Sequence, residues 1–207
     1  GVLRLPRRGD GLVRPDALKA LIERHLPYRD LSEARLPIHV VATDVLSGGS
    51  VVLSKGPAAA AIIASCAIPA AFAPVALGGQ FLVDGAITSN TPVRVAFELG
   101  ATRLVVLPTG FACALQAPPR GAIASALHAV TLLIARQLVA ETEALDQAID
   151  YAVVPSLCPL NGSAYDFSRT GELIDAAETV TRAWIEGGGL KRREIPDGLR
   201  AHHHAPV

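Results

Sequence analysis

The chain has no excess of charge of either sign and few charges in total. Its 207 residues carry 19 basic and 19 acidic side chains, so the formal net charge is zero. A neutral chain gives no electrostatic reason to expect a nucleic-acid partner. Charged residues make up 18% of the sequence and apolar residues 50%. This composition excludes a disordered chain and predicts a packed core, in one domain or a large part of one.

Cysteine is also scarce. The three cysteines are Cys66, Cys113 and Cys158, and no C-x-x-C pair occurs. An odd number in apolar surroundings argues against a disulfide framework or a zinc site, so we predict buried free thiols. Three consecutive histidines at 202–204 offer weak metal ligands, but they lie in a polar tail that begins at Lys191 and that we expect to be loose. We therefore predict no metal site.

Hydrophobic segments able to cross a membrane are absent from the sequence too. Residues 57–77 carry no charge, but Pro69 and Pro74 would break a helix there and leave backbone groups that hydrocarbon cannot satisfy. We predict a short helix over 58–66 followed by a buried loop. Residues 122–145 include polar and charged side chains and predict a mostly buried amphipathic helix. No segment resembles a signal peptide, and we expect a cytoplasmic protein.

The most informative segment that is present spans residues 81–92. Its first three residues are apolar and predict a buried strand that ends at Asp84 and a turn at Gly85. Open α/β sheets place their chemistry at such strand ends, and a glycine beside the acid lets substrate or another side chain approach. A plain strand–turn–helix with a capping aspartate fits the same pattern. Spacing alone does not separate the two interpretations.

Predicted helices and strands alternate along the rest of the chain. This alternation predicts an α/β fold in three layers, with a mostly parallel sheet covered by helices on both faces. The predicted helices span residues 15–25, 58–66, 92–99, 122–145 and 168–186, and the predicted strands span residues 38–42, 51–54, 81–83, 103–107 and 150–154.

Residues 41–44, 64–75 and 166–174 accompany the Asp84 segment in a specific order. Together these segments resemble the bacterial patatin-like phospholipases, over about residues 11–187. By this resemblance the fold is patatin-like, Asp84 is the catalytic aspartate of a Ser–Asp dyad, and no histidine takes part. Many relatives read Asp-Gly-Gly, so Ala86 is a small departure that leaves the aspartate in place. The resemblance leaves Asp44 outside the dyad, and we expect Asp44 to cap its own turn.

The serine half of the dyad is missing from the sequence. Patatin-like enzymes carry a glycine-rich oxyanion loop and a G-x-S-x-G nucleophile elbow, and the 207 residues contain no G-x-S-x-G. The nearest sequences surround Ser50, Ser125 and Ser163, and none combines a strand, a turn and a helix with flanking glycines. We expect residues 1–190 to be a partial patatin-like domain that lacks its N-terminal strands, and residues 191–207 to be the polar tail.

The resemblance implies a lipid acyl hydrolase, that is, a phospholipase or esterase. The serine would attack an ester carbonyl, Asp84 would take the proton, and water would hydrolyse the acyl-enzyme. An ordinary aspartate has a pKa of about 3.9 and is a weak base toward an alcohol, so the site must compensate through burial and an oxyanion hole. The resemblance implies no metal and no cofactor.

A different class of function stays open on the sequence alone. The chain would then be a non-catalytic patatin-like remnant, or a binding module that acts with a partner chain. The expected partners are a lipid or other carboxylic ester as substrate, and no nucleic acid. Three further partners stay open at this point: a membrane surface contacted peripherally, a second copy of the chain, and the missing N-terminal segment.

Overall fold

A computed structural model describes residues 13–69, 71–109, 111–115, 117–145, 149–161 and 166–204. The chain divides into two compact units, one ending at Asn90 and the other beginning at Thr91. In the described residues the helices are α1 (Asp16–His25), α2 (Ala58–Ser65), α3 (Ala86–Ser89), α4 (Val93–Glu98), α5 (Ala122–Glu143) and α6 (Thr170–Glu186). The strands are β1 (Val40–Asp44), β2 (Ser50–Leu53), β3 (Val75–Leu77), β4 (Gln80–Asp84), β5 (Arg103–Val106) and β6 (Asp150–Val153).

The first unit is built on a four-stranded sheet in the order β2-β1-β4-β3. Strands β3 and β4 form a hairpin through Gly78 and Gly79, whose φ angles are 60° and 80°. A two-residue turn of this kind requires positive φ at both central positions, which glycine allows without strain. Helix α2 contacts β1, β3 and β4. The core between them contains Ala42, Ala64 and Leu82, which are fully buried.

The α/β class is confirmed, but the direction of strand pairing in the first unit differs from the expectation. All three strand pairs of its sheet are antiparallel, whereas a mostly parallel sheet was predicted. For two of the pairs the cause lies in the connections, since β1 reaches β2, and β3 reaches β4, through short glycine turns. Parallel neighbours need a crossover of a dozen or more residues.

The second unit contains the parallel pair. Strands β5 and β6 pair in parallel over their whole length, from Arg103 opposite Asp150 to Val106 opposite Val153. The long helix α5 lies in the connection between them, as a parallel crossover requires. Its core packs apolar side chains from both strands, α4, α5 and the segment after α6. The buried members are Val93, Leu104, Val106, Leu138, Leu145, Ile149, Val153 and Leu199.

Most elements agree with the predicted ones to within two residues at each end. Strand β3 and helix α3 were not predicted, because each has only three or four residues and neither shows a hydrophobic period. The expectation of a loose tail from Lys191 is wrong. Two 3₁₀ turns follow α6, at Gly189–Lys191 and Asp197–Leu199, and Leu199 is 3% exposed within the core. None of the helices in the described part of the chain, the 22-residue α5 included, has the apolar length that a bilayer span requires.

Candidate functional site

Asp84 lies at the end of β4, where backbone from two sides holds it. In the sheet it pairs with Ala42 of β1. Its amide donates to the Ala67 carbonyl at 3.0 Å, and the Gly85 amide donates to the Ser65 carbonyl at 3.4 Å. The turn after α2 therefore continues the pairing of β4 beyond its last residue. These bonds join two segments that the sequence singled out separately, residues 64–75 and 81–92.

Gly85 lets the chain pass closely against β1. Its φ of −63° and ψ of −24° are open to any residue, so its backbone conformation does not require glycine. A Cβ at this position, however, would lie 2.3 Å from the Val41 carbonyl oxygen and 2.9 Å from the carbon of that carbonyl. The approaching group is thus the main chain of β1, and not the substrate or side chain that the sequence suggested.

Hydroxyl groups complete the hydrogen bonding around this turn. The Thr43 side chain is 1% exposed, and its hydroxyl donates to the Asp84 carbonyl at 2.9 Å. The Thr88 hydroxyl lies 3.1 Å from that of Thr43. The Ser65 hydroxyl donates to the Val41 carbonyl at 2.6 Å. A buried carbonyl without a partner would destabilise the turn by about 1–3 kcal/mol, so these hydroxyls keep its geometry fixed.

The Asp84 carboxylate is half-buried and directed by its own turn. The Ala86 amide donates to Asp84 Oδ1 at 2.8 Å. Burial raises the pKa of Asp84 above its ordinary value, and the Ala86 hydrogen bond opposes this effect without cancelling it. The neighbouring Cys66 thiol is exposed. Its pKa is raised by desolvation and, second, by the negative charge of Asp84, so it stays a protonated thiol and is not an activated nucleophile.

Asp44 ends β1 in a different environment. Its Oδ2 accepts from the Ser47 hydroxyl at 2.7 Å, and its Oδ1 accepts from the Leu46 amide at 3.3 Å. These hydrogen bonds to Ser47 and Leu46 lower the pKa of Asp44, and its small desolvation does not offset them. The prediction that Asp44 caps its own turn is confirmed.

The other residues that the sequence singled out have ordinary structural roles. Ser50 opens β2 opposite Thr43, and Ser125 lies in the first turn of α5, where its hydroxyl donates to the Pro119 carbonyl at 3.1 Å. Neither serine lies on a strand-to-helix turn. Ser163 falls outside the described residues. In the second unit, the 166–174 segment opens α6, where Arg169 forms an ion pair with Glu172.

A second cluster of reactive side chains lies in the second unit and was not predicted. The sulfur atoms of Cys113 and Cys158 and the ring nitrogens of His202 and His204 all lie within 4.8 Å of one another. The cysteines are free, as predicted, but Cys66 and Cys158 are exposed and Cys113 is only partly buried, so the prediction of buried thiols is wrong. Desolvation, followed by the hydrogen bond with Cys113 and its charge, raises the pKa of Cys158 to about 11.

Comparison with known proteins finds sequence similarity over the first unit and the start of the second. Residues 2–97 match the family model described as patatin-like phospholipase. A stretch of 83 residues is 35% identical to proteins described as uncharacterized NTE family proteins, from Mycobacterium bovis and from two strains of Mycobacterium tuberculosis. The stretch covers 40% of this chain and 23% of each relative. The chain therefore matches less than a quarter of the length of these curated relatives.

Proposed function

We propose that the protein is a lipid acyl hydrolase in which Asp84 is the base of a Ser–Asp dyad, starting from the match of residues 2–97 to the patatin-like phospholipase family model. The observation that carries this proposal is the state of the Asp84 carboxylate. It is half-buried at a strand end, its pKa is raised by that burial, and main-chain hydrogen bonds on both sides fix its position. Perturbed carboxylates of this kind are typical of catalytic acids and bases.

The proposed reaction uses the two carboxylate oxygens differently. Oδ1 accepts the hydrogen bond from the Ala86 amide. Oδ2 takes the proton of the serine hydroxyl as the serine oxygen bonds to the ester carbonyl carbon. The proton passes to the leaving alcohol when the ester C–O bond breaks. Water then attacks the acyl-serine, Asp84 accepts its proton, and the serine regains a proton as the fatty acid is released. A raised pKa brings the carboxylate closer to the value that makes a base effective near neutral pH.

The serine and the oxyanion hole are the parts that this sequence does not supply, since it contains no G-x-S-x-G. We propose that both come from sequence outside residues 1–207. The substrate class is a lipid or another carboxylic ester, presented at a membrane surface that the protein contacts from outside. The absence of this motif is also compatible with one alternative function, in which the chain is a non-catalytic module that binds lipid or a partner chain.

Two measurements on two proteins separate these functions. The full-length natural protein that contains this sequence should hydrolyse short-chain p-nitrophenyl esters, and a fluorophosphonate should label one of its serines stoichiometrically. Residues 1–207 alone should show neither reaction. A labelled serine within residues 1–207 would show that the nucleophile is misassigned. A full-length protein that neither hydrolyses esters nor becomes labelled would overturn the hydrolase and favour the binding module instead.

A further inference from the structure

The cluster in the second unit offers four metal-ligand atoms from three separate parts of the chain. Cys113 lies in the loop after β5 and Cys158 in the loop after β6, the two strands that pair in parallel. His202 and His204 follow the last 3₁₀ turn. The two sulfur atoms are 3.7 Å apart, and the ring Nε2 atoms of the two histidines are 3.0 Å apart. Cys158 Sγ lies 3.3 Å from His202 Nε2 and 3.4 Å from His204 Nε2, and Cys113 Sγ lies 3.3 Å from His204 Nε2.

These separations are those of ligands around one small cation. With Zn–S bonds of about 2.3 Å and Zn–N bonds of about 2.0–2.1 Å, a tetrahedron separates its ligands by roughly 3.8 Å (S to S), 3.5 Å (S to N) and 3.3 Å (N to N). Five of the six separations follow the same order and are shorter than these values by a few tenths of an ångström or less. The sixth, between the ligand atoms of Cys113 and His202, is no more than 4.8 Å. Two thiols and two imidazoles in a tetrahedron are a donor set that selects zinc over harder cations.

The groups behind the ligands are arranged as a metal site requires. His202 Nδ1 lies 2.8 Å from the Arg200 carbonyl, so this nitrogen donates a proton there and Nε2 presents its lone pair to the cluster. Metal-binding histidines are oriented by such a bond from the second ring nitrogen. The Leu160 amide donates to Cys113 Sγ at 3.3 Å, which stabilises negative charge on that sulfur.

The histidine-bearing segment is also held in place independently of the cluster. Leu199 is buried in the core of the second unit. The Arg200 guanidinium forms an ion pair with Glu143 of α5 at 2.8 Å. Because these residues lie three and two positions before His202, the ligands are brought to the two cysteine loops by packing rather than by chance contact of a free tail.

We propose that the second unit binds one Zn²⁺ through Cys113, Cys158, His202 and His204. All four positions come from protein side chains, which leaves no open position for water, so the site is structural and not catalytic. Each thiol loses a proton on binding, so the dication with two thiolates and two neutral imidazoles carries no net charge. The ion ties the loops after β5 and β6 to the C-terminal segment. This proposal does not depend on the proposed hydrolase activity.

The metal content and the cobalt spectrum test the site directly. The natural protein, expressed without an affinity tag, reduced and dialysed, should contain about one zinc per chain by mass spectrometry. Replacing zinc by Co²⁺ should produce the strong visible absorption of tetrahedral cobalt and a thiolate-to-cobalt charge-transfer band. This measurement needs no variant, so it decides the question even if a ligand substitution prevents folding.

Matched substitutions identify the ligands. Cys113→Ser, Cys158→Ser and His204→Ala should each weaken Zn²⁺ binding more than the roughly 10–100-fold that loss of a supporting residue causes. Cys66→Ser, in the other unit, and His203→Ala, between the two proposed histidine ligands, should leave the zinc content and the cobalt spectrum unchanged. A wild-type protein with far less than one zinc and an octahedral cobalt spectrum would overturn the proposal. Equal losses in the two control variants would overturn it as well.

Discussion

Asp44 and Asp84 each end a strand, and the two strands pair with each other in the same sheet, with Asp44 opposite Leu82 and Asp84 opposite Ala42. Their carboxylates nevertheless respond to opposite forces. The hydroxyl of Ser47 and a backbone amide stabilise the charge of Asp44 and lower its pKa. Burial destabilises the charge of Asp84 and raises its pKa. Desolvation disfavours the charged form, whereas hydrogen bonds to that form favour it.

The difference shows how one small sheet holds two aspartates in opposite electrostatic environments. Asp44 has two donors within its own turn and contributes to the turn by staying ionised. The main-chain groups of Asp84 form hydrogen bonds with Ala67, Thr43 and β1. Its carboxylate accepts a single hydrogen bond from a backbone amide, that of Ala86. The fold thus holds Asp84 through backbone hydrogen bonds and keeps its carboxylate partly out of water, an environment that suits the role of base proposed for it.

The largest contrast should be in catalysis. In the full-length protein, Asp84→Asn should lower ester hydrolysis on the order of 10⁴-fold or more, since asparagine keeps the shape but cannot accept the serine proton. Asp44→Asn is the matched control and should stay within a few-fold of the parent. The measurement is kcat/KM toward a short-chain p-nitrophenyl ester. Comparable activity of the two variants would remove Asp84 from the mechanism.

The second contrast concerns the glycine that brings the Asp84 turn against β1. In Gly85→Ala, the new Cβ would meet the backbone of Val41, and relieving that overlap should lower the free energy of unfolding by about 1–3 kcal/mol. Gly171→Ala is the control, because its Cβ would meet nothing within 4 Å and alanine favours its helix by up to about 1 kcal/mol. Urea unfolding of both variants makes the comparison. Equal stability of the two would show that the β1 contact is not tight.

The smallest contrast is in folding stability: ionisation of the two aspartates changes the free energy of unfolding in opposite directions. Because burial raises the pKa of Asp84 in the folded state, ionisation there lowers stability, and this penalty disappears as the pH falls below the unfolded value of about 3.9. Asp84→Asn should therefore be more stable than wild type at neutral pH, by an amount that shrinks on acidification. Asp44 has a lowered folded pKa, so its contribution is present above about pH 3.9 and is lost as the pH falls through the folded pKa. Asp44→Asn should be less stable at neutral pH.

Thermal unfolding of the wild type and both variants, from about pH 3 to pH 7, measures these signs. The wild-type and Asp84→Asn curves should converge at the acidic end, since Asp84 is then mostly protonated in the folded and the unfolded state. The difference between wild type and Asp44→Asn should only shrink there, because the folded pKa of Asp44 is lowered. Asp44→Asn and Asp84→Asn shifted in the same direction at neutral pH would contradict the contrast between the two carboxylates.

The sequence predicted the structural features that depend on residues close together in the chain. Asp84, its glycine and the flanking strand lie within a few residues, so their pattern was readable, as was the capping role of Asp44. The antiparallel pairing of β1 with β4 was not predicted, because it joins strands that lie far apart in the sequence, with Ala42 opposite Asp84. The Cys–His cluster was missed for a related reason. Its cysteines are 45 residues apart, and Cys113 and His204 are 91 residues apart, so no local spacing signals that packing brings them together.

The backbone bonds around Asp84 have a consequence for protein engineering. The donors from Asp84 and Gly85 and the acceptors on Ser65 and Ala67 belong to the main chain, so substituting most side chains nearby leaves them in place. Cys66 is exposed beside the carboxylate, and Ala86 contributes its amide rather than its side chain. The Cys66 amide also donates to the Ile62 and Ile63 carbonyls, so a combinatorial library at positions 66 and 86 that excludes proline at both can vary the surroundings of Asp84 while the acid itself stays where it is.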